Sequence, residues 1–261
     1  MQSILASMPG FDSDDYPQSV VATRLIAEEE YAETPFHRHR KCQLVLALNG
    51  YVKCKIADAI WMVPPNCAVW IPSQVPHSNL VSKDANVCML FVDPSIEGMP
   101  DSSCTLSITP LLRELIAHLT TLEQNYSKHS VADKLVDVLI DQLRLMPREH
   151  FDFPLPIEPR LNMIAQRLLS APEDRRTVAQ WASEYAMSER TLSRLVKNEI
   201  GLTFGRWRGQ LHIVLALQKL AVGGTVQRIA EDLGYESVSA FITFFKKTLG
   251  KSPKQYMKHK D

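Results

Sequence analysis

Residues 177–199 read TVAQWASEYAMSERTLSRLVKNE and residues 225–247 read TVQRIAEDLGYESVSAFITFFKK. Each opens on a Thr, whose hydroxyl can accept from the free amides of a helix start. In the later copy Val226, Ile229, Ala230 and Leu233 recur at helical spacing. Gly234 then suits a left-handed helix end, and Ser237 caps a second helix with Phe241, Phe245 and Leu249 on one face. The earlier copy repeats the plan with Val178, Trp181 and Ala182, a Ser188 cap, and Leu192, Leu195 and Val196 facing inward. Ala186 stands where the later copy has Gly234, so strained left-handed backbone is expected there. A short helix, a tight turn and a second helix with a polar face make a helix-turn-helix. The chain carries two, at about 175–197 and 224–247. Between them Trp207, Leu211, Val214, Leu215 and Gln218 predict a joining helix over Thr203–Ala221. Nineteen residues make a rod of roughly 28 Å, against about 34 Å for one turn of DNA.

Charge is divided unevenly. From Arg160 to the end there are 17 Lys and Arg against 9 Asp and Glu, a net of +8, and the preceding residues carry −8. By itself this leaves open an anionic partner or a solvated basic surface.

The tail GYESVSAFITFFKKTLGKSPKQY resembles the signature of AraC/XylS-type transcription regulators through Gly234, Tyr235, Ser239, Phe241, Phe245, Lys246, Gly250, Ser252, Pro253 and Tyr256. Ser188, Leu192, Arg194 and Lys197 match in the first copy, and the resemblance covers about residues 158–258. It implies double-stranded DNA as partner, with RNA polymerase a further one. Off the apolar face of the first recognition helix lie Ser188, Arg190, Thr191, Ser193, Arg194 and Lys197. Arg190, Ser193 and Arg194 are expected at base edges, because a guanidinium can bond guanine O6 and N7 together. Lys197 and Lys246 are expected at phosphates. The second helix offers Val238, Ser239, Ala240 and Thr243. The family often has Arg at the position of Thr243, so fewer hydrogen bonds to bases, with thymine methyls or only backbone read instead, are expected there.

The N-terminal part has a different rhythm. QLVLAL, YVKCKI, AVWIP and NVCMLFV read as short strands, with turns at Asn49-Gly50, Pro64-Pro65-Asn66 and Ser82-Lys83-Asp84. A small barrel or sandwich follows, so the expected class is α+β. His37-x-His39-x-x-x-Gln43 and the later His77 resemble the two motifs of a cupin, over residues 30–92. That resemblance implies a pocket lined by His37, His39, Gln43 and His77. Trp61, Trp70 and Phe91 are expected as its walls. Gln43 stands where metal-binding cupins carry Glu, so no carboxylate offsets a cation. The expectation is a metal-free pocket for an unknown small-molecule effector, without cofactor. A Zn²⁺ or Fe²⁺ held by His37, His39 and His77 is the alternative. No residue pattern supplies both an open metal position and a general acid or base, so no catalytic residue is assigned.

Two helices are expected next. Thr109 and Pro110 start one with Leu112, Leu115, Ile116, Leu119 and Leu122 as its stripe; Ser130 starts another with Leu135, Val138, Leu139 and Gln142 on one face. They pack on the barrel or on a second copy, and a homodimer is the expectation. The expected divisions are a tail over 1–19, a barrel over 20–103, a helical dimerisation segment over 104–146, a linker over 147–159 with four prolines, and a DNA-binding domain over 160–261.

Five cysteines, without C-x-x-C spacing, suggest reduced buried thiols and a cytoplasmic protein. Neither a signal peptide nor a membrane span is expected, as no apolar run exceeds stretches such as LVLAL. The expected function is a sequence-specific, effector-responsive transcription regulator. HRHRKCQLVLALNGYV and CAVWIPSQVPH resemble the NimR-type branch of the family, which implies repression of a neighbouring drug-efflux gene and of its own gene. A metal-dependent cupin enzyme with an accessory DNA-binding domain, and a non-specific architectural protein, are the competing readings.

Overall fold

A computed structural model describes residues 11–28, 33–56, 59–63, 67–149, 152–221 and 223–257. The chain forms an α+β protein of two compact units that divide between residues 151 and 152.

The first unit opens on a 3-10 turn at Ser13–Asp15. Strands β1 (Val20–Ile26), β2 (Cys42–Asn49), β3 (Val52–Ile56), β4 (Ala59–Val63), β5 (Cys67–Ile71), β6 (His77–Val81), β7 (Asn86–Val92) and β8 (Cys104–Ser107) follow. Helices α1 (Pro110–Leu119) and α2 (Val131–Arg144) and strand β9 (Arg148–Glu149) close the unit. The larger sheet runs β1-β7-β2-β5-β8-β9, and β4-β3-β6 neighbour one another in a second sheet. Successive side chains of a strand face opposite ways. In β2, Leu44 and Leu46 therefore join Trp70, Leu90 and Leu106 under the helices, while Gln43 and Val45 point to the other face. Both faces are dry, which explains the unbroken apolar run in place of alternation.

The four strands expected from sequence correspond to β2, β3, β5 and β7. Missed in this unit were β1, β4, β6, β8 and the two-residue β9; within β6, His77 and Asn79 face the site below, while the Ser78 hydroxyl donates to Glu33. Since β8 pairs with β5, the sheet continues past the expected boundary at residue 103. Gly50 and Asp84 hold left-handed turns at φ +68° and +57°, as the Asn49-Gly50 and Ser82-Lys83-Asp84 signals implied. The Pro64-Pro65-Asn66 turn lies outside the described residues.

Thr109 and Ser130 accept from the amides of Leu112 and Asp133 and cap α1 and α2 as expected. Leu112, Ile116 and Leu119 pack on the sheet. For α2 the inward face is Val136, Leu139, Ile140 and Leu143, rotated from the expected one: Val138 is 47% exposed and Gln142 half-buried. The helix pair thus covers its own sheet. All five cysteines are buried thiols outside any disulfide, and burial raises those of Cys88 and Cys104 to about 11.

The second unit contains β10 (Asp152–Pro154), α3 (Pro159–Ser170), α4 (Val178–Glu184), α5 (Glu189–Ile200), α6 (Phe204–Ala221), α7 (Val226–Asp232), α8 (Val238–Leu249) and α9 (Pro253–Met257). In the proline-rich stretch the described residues, 147–149 and 152–159, are packed. Arg148 pairs with Leu106 in the first unit. In the second, Phe153 is fully buried and stacks on Trp207 at 5.4 Å, and Glu199 accepts from the amides of Ile157 and Glu158. Aromatic burial outweighs the breaking signal of the prolines.

Thr177, Ser188, Thr225 and Ser237 each cap the helix assigned to them, Thr177 in a full capping box with Gln180. The two turns hold Ala186 at φ +52° and Gly234 at φ +70°. A Cβ at Gly234 would lie 2.4 Å from the Glu173 carbonyl oxygen.

In urea unfolding, Leu139→Ala is expected to cost about 2–5 kcal/mol in the first unit's transition, whereas Val138→Ala stays within about 0.5 kcal/mol. In the second unit, Gly234→Ala is expected to lose at least about 2 kcal/mol, because steric overlap with backbone adds to left-handed strain. Ala186→Gly should change stability by less than about 1 kcal/mol, since relief of strain offsets lost chain stiffness.

Candidate nucleic-acid interface and histidine pocket

Helix α6 organises the second unit. Its 18 residues form a rod of about 27 Å. Trp207, Leu211, Ile213, Val214, Ala216, Leu217 and Leu220 are all buried, so apolar side chains surround the axis. A helix buried all round needs cover on every side. The first helix-turn-helix contributes Trp181, Leu192 and Val196 to the core that holds Trp207 and Leu211. The second meets α6 at His212 and Gly209, where a Cβ would stand 3.3 Å from the Phe244 ring.

His212 makes both of its hydrogen bonds inside this junction. Pro172 carbonyl oxygen can only accept, so Nε2 carries the proton and donates to it at 3.1 Å. Nδ1 then accepts from the Tyr235 hydroxyl at 3.0 Å. Burial, aided by the nearby Arg208 charge, lowers His212 to about 4.

The expected DNA-facing residues lie on the outer surfaces of α5 and α8. Arg190, Ser193, Arg194 and Lys197 are exposed and Thr191 half-buried. Ser188 is exposed, but its hydroxyl already accepts from the Thr191 amide. Lys197 donates to the Gly201 carbonyl at the helix end. Among the described residues Arg190 and Arg194 have no ion-pair partner, unlike Arg160, Arg176 and Arg228, which pair with Glu158, Asp174 and Asp232. On α8, Ser239, Ala240, Thr243 and Lys246 are exposed and Val238 half-buried.

The first unit holds a cavity of about 210 Å³. His37, His39, Gln43 and Phe91 line it. His77 stands behind them, its ring 4.4 Å from that of His37 and 5.1 Å from that of His39. His37 and His77 also exchange both backbone hydrogen bonds, each at 3.0 Å. Each Nδ1 meets a main-chain carbonyl: Pro35 for His37, Lys41 for His39 and Val75 for His77. Since carbonyls only accept, the Nδ1 atoms carry the protons and the Nε2 atoms carry lone pairs. Burial lowers His39, and lowers His77 to about 4, so the neutral form is favoured. The Nε2 atoms of His39 and His77, and the side-chain oxygens of Gln43 and Asn79, are buried without a hydrogen-bond partner.

Two expected walls belong elsewhere. Trp70 pairs in register with Leu44, on the opposite face from Gln43, and its indole donates to the Pro100 carbonyl under the helices. Trp61 is buried on β4 but does not line the cavity. Sequence reasoning missed Asn79, Met89 and the turn residues Phe11, Asp12 and Asp14. Asn79 and Met89 were within reach, since they lie two residues from His77 and Phe91 on the same strand faces. The turn carries no periodic signal; Asp14 reaches the site by accepting from the amides of Arg40 and Lys41.

Comparison with known proteins agrees with this two-part plan. Residues 181–259 match the family described as helix-turn-helix domain, and residues 20–134 match the AraC-like ligand binding domain. The HTH-type transcriptional regulator NimR of Escherichia coli (strain K12) is 41% identical over 251 residues, which span 96% of this chain and 92% of that protein. The chain belongs to the AraC family of transcription regulators. The RCS-specific HTH-type transcriptional activator RclR of the same strain is 24% identical over 79% of this chain and 62% of that protein. ToxT from Vibrio cholerae O395 aligns over 91% of this chain and 95% of that chain, at 14% identity and TM-score 0.38. As an AraC-family member the chain is a DNA-binding transcription regulator with an effector-binding domain, and not an enzyme. No helix of the described residues is long and apolar enough to cross a membrane.

The AraC-type junction should be acid-sensitive. His212 is neutral in the fold but takes up a proton near pH 6.5 when unfolded, so stability falls as pH drops from about 6.5 toward 4. Between pH 7 and 5 this one group is expected to cost roughly 2 kcal/mol. Urea unfolding of His212→Asn, compared with the parent chain at both pH values, should show a correspondingly smaller loss.

Proposed function

We propose that α5 carries most of the operator specificity, with Arg190, Ser193 and Arg194 at base edges. The observation that carries this reading is the exposure of both guanidiniums on a capped helix, without an ion-pair partner among the described residues, which leaves their donors for DNA. Lys197 and Lys246 position the protein on phosphates. On α8, Val238, Ser239, Ala240 and Thr243 present methyls and hydroxyls with no cation in the first two turns. That half therefore reads thymine methyls and backbone more than hydrogen-bonding pattern.

The effector enters the histidine cavity, where the unpartnered buried acceptors of His39, Gln43 and Asn79 await a ligand with donors. The active form is a homodimer. Leu111, Val131 and Val138 remain exposed on α1 and α2 after those helices have covered their own sheet, and these supply the dimer surface. The protein acts in the cytoplasm, represses a neighbouring efflux gene and its own gene, and competes with or contacts RNA polymerase there. The likeness of the N-terminal half to the NimR-type branch, and 41% identity to the Escherichia coli regulator of that name, support this reading.

Selection of genomic DNA fragments at physiological salt is expected to recover one motif with two half-sites about one helical turn apart. Arg194→Ala should weaken binding to that motif by about 1–3 kcal/mol and relax preference at one base. Lys246→Ala should weaken all sequences alike and flatten the salt dependence. Recovery of no motif would sink the specific-regulator reading.

A further inference from the structure

The two helix-turn-helix motifs are tied together by more than α6. The chain passes from α6 to α7 through Gly223-Gly224, and glycine restrains backbone direction least of all residues. Contacts elsewhere must help to fix the second motif against the first. Residues 172–176, the loop between α3 and α4, make such contacts on both sides.

Arg176 anchors the loop to the first motif. Its guanidinium lies 3.8 Å from the centre of the Trp181 ring and pairs with Glu184, both on α4. It also pairs with Asp174 at 2.6 Å, and the Arg176 amide donates to the same carboxylate, which braces the loop on itself. Toward α6, Arg208 and His212 stand one helical turn apart and donate to two loop carbonyls, those of Arg176 and Pro172, each at 3.1 Å. Toward the second motif the loop meets Gly234 and Tyr235, in the turn between α7 and α8. The Glu173 main chain leaves no room for a Cβ at Gly234. The Arg175 guanidinium lies 5.1 Å over the Tyr235 ring, whose hydroxyl donates to His212. That ring in turn sits 5.3 Å from Phe241 and 5.7 Å from Phe244 on α8. A run of contacts thus leads from α4 to α8 by way of this loop. Cations are a costly filling for such a joint, but a planar guanidinium fixes direction as an apolar side chain does not.

We propose that Arg175 and Arg208 are positioning residues for operator recognition: through the 172–176 loop and Tyr235 they set the distance and angle between α5 and α8, and hence the half-site spacing that the protein accepts. The proposal rests on the reading that both recognition helices enter one operator. One base pair more or less between half-sites shifts the second groove by about 3.4 Å and turns it by roughly a tenth of a turn. A held pair of helices rejects that change and a loosened pair tolerates it.

The test has two arms, each on the full chain, with Arg175→Ala and Arg208→Gln beside the parent. Arg175 is exposed, so Arg175→Ala should keep the fold, which circular dichroism checks. The first arm measures binding to the selected motif with spacers one base pair longer and shorter. The parent should prefer one spacer. Loss of an exposed cation–π contact in Arg175→Ala should erode that preference roughly 2–5-fold, and loss of a charged donor in Arg208→Gln about 10-fold. A merely structural role would weaken binding at every spacer alike, and that result overturns the proposal, as does an unchanged preference in both variants. The second arm needs no DNA. Nitroxides on Asn198→Cys and Lys247→Cys, exposed positions of α5 and α8, report the distance between the helices, while the native thiols stay buried. A narrow distribution in the parent that broadens in both variants is expected; a width unchanged in both overturns the proposal. If the parent selects no motif, the operator reading falls and the distance measurement alone decides the clamp.

Discussion

From Leu211 to Ala221 helix α6 has no exposed residue, and the architecture of the DNA-binding unit follows from that. Ten of its residues, Phe204 to Ala221, are buried. A helix buried to that extent needs cover, and the two helix-turn-helix units packed around it provide it. Phe153, brought in from the proline-rich stretch, stacks on Trp207 and covers a part that neither unit reaches. The recognition helices are thus held by one rigid core. Their outer surfaces owe nothing to that core, which is why Arg190 and Arg194 stay free of partners among the described residues.

The sensor unit has the opposite economy. Its β-rich interior nevertheless takes in His39, Gln43, His77 and Asn79, and leaves acceptor atoms of all four unmatched. Removing such groups in favour of apolar ones would stabilise the domain, so their presence is better understood as function. The orientation of the imidazoles comes from main-chain carbonyls of short extended segments, not from other side chains. The site is therefore built into the path of the backbone.

Much of this was legible in sequence. Caps announced themselves, because a Ser or Thr before an apolar helical stripe satisfies amides within three residues. The left-handed turns at Ala186 and Gly234 were readable for the same local reason. The histidines of the pocket and Phe91 were readable by motif and alternation. The face of α2 was not: Val138 and Ile140 are equally apolar, and only the sheet beneath decides which is covered. Trp70 was misplaced because an aromatic in a strand buried on both sides gives no sign of its direction. Asp14 was invisible because a turn has no period, and its place depends on amides 26 and 27 residues away.

Sequence alone determined the principal helices, four of the strands and the family: periodicity, caps and turn residues act over a few positions and depend on nothing distant. It also determined that the C-terminal half is basic and doubly helix-turn-helix. Tertiary structure decided which apolar faces are inside, that the described parts of the proline-rich stretch are packed, and which charge lines the cavity beside the histidines. Those outcomes depend on segments far apart in the chain meeting at one place, and burial is settled only when they meet.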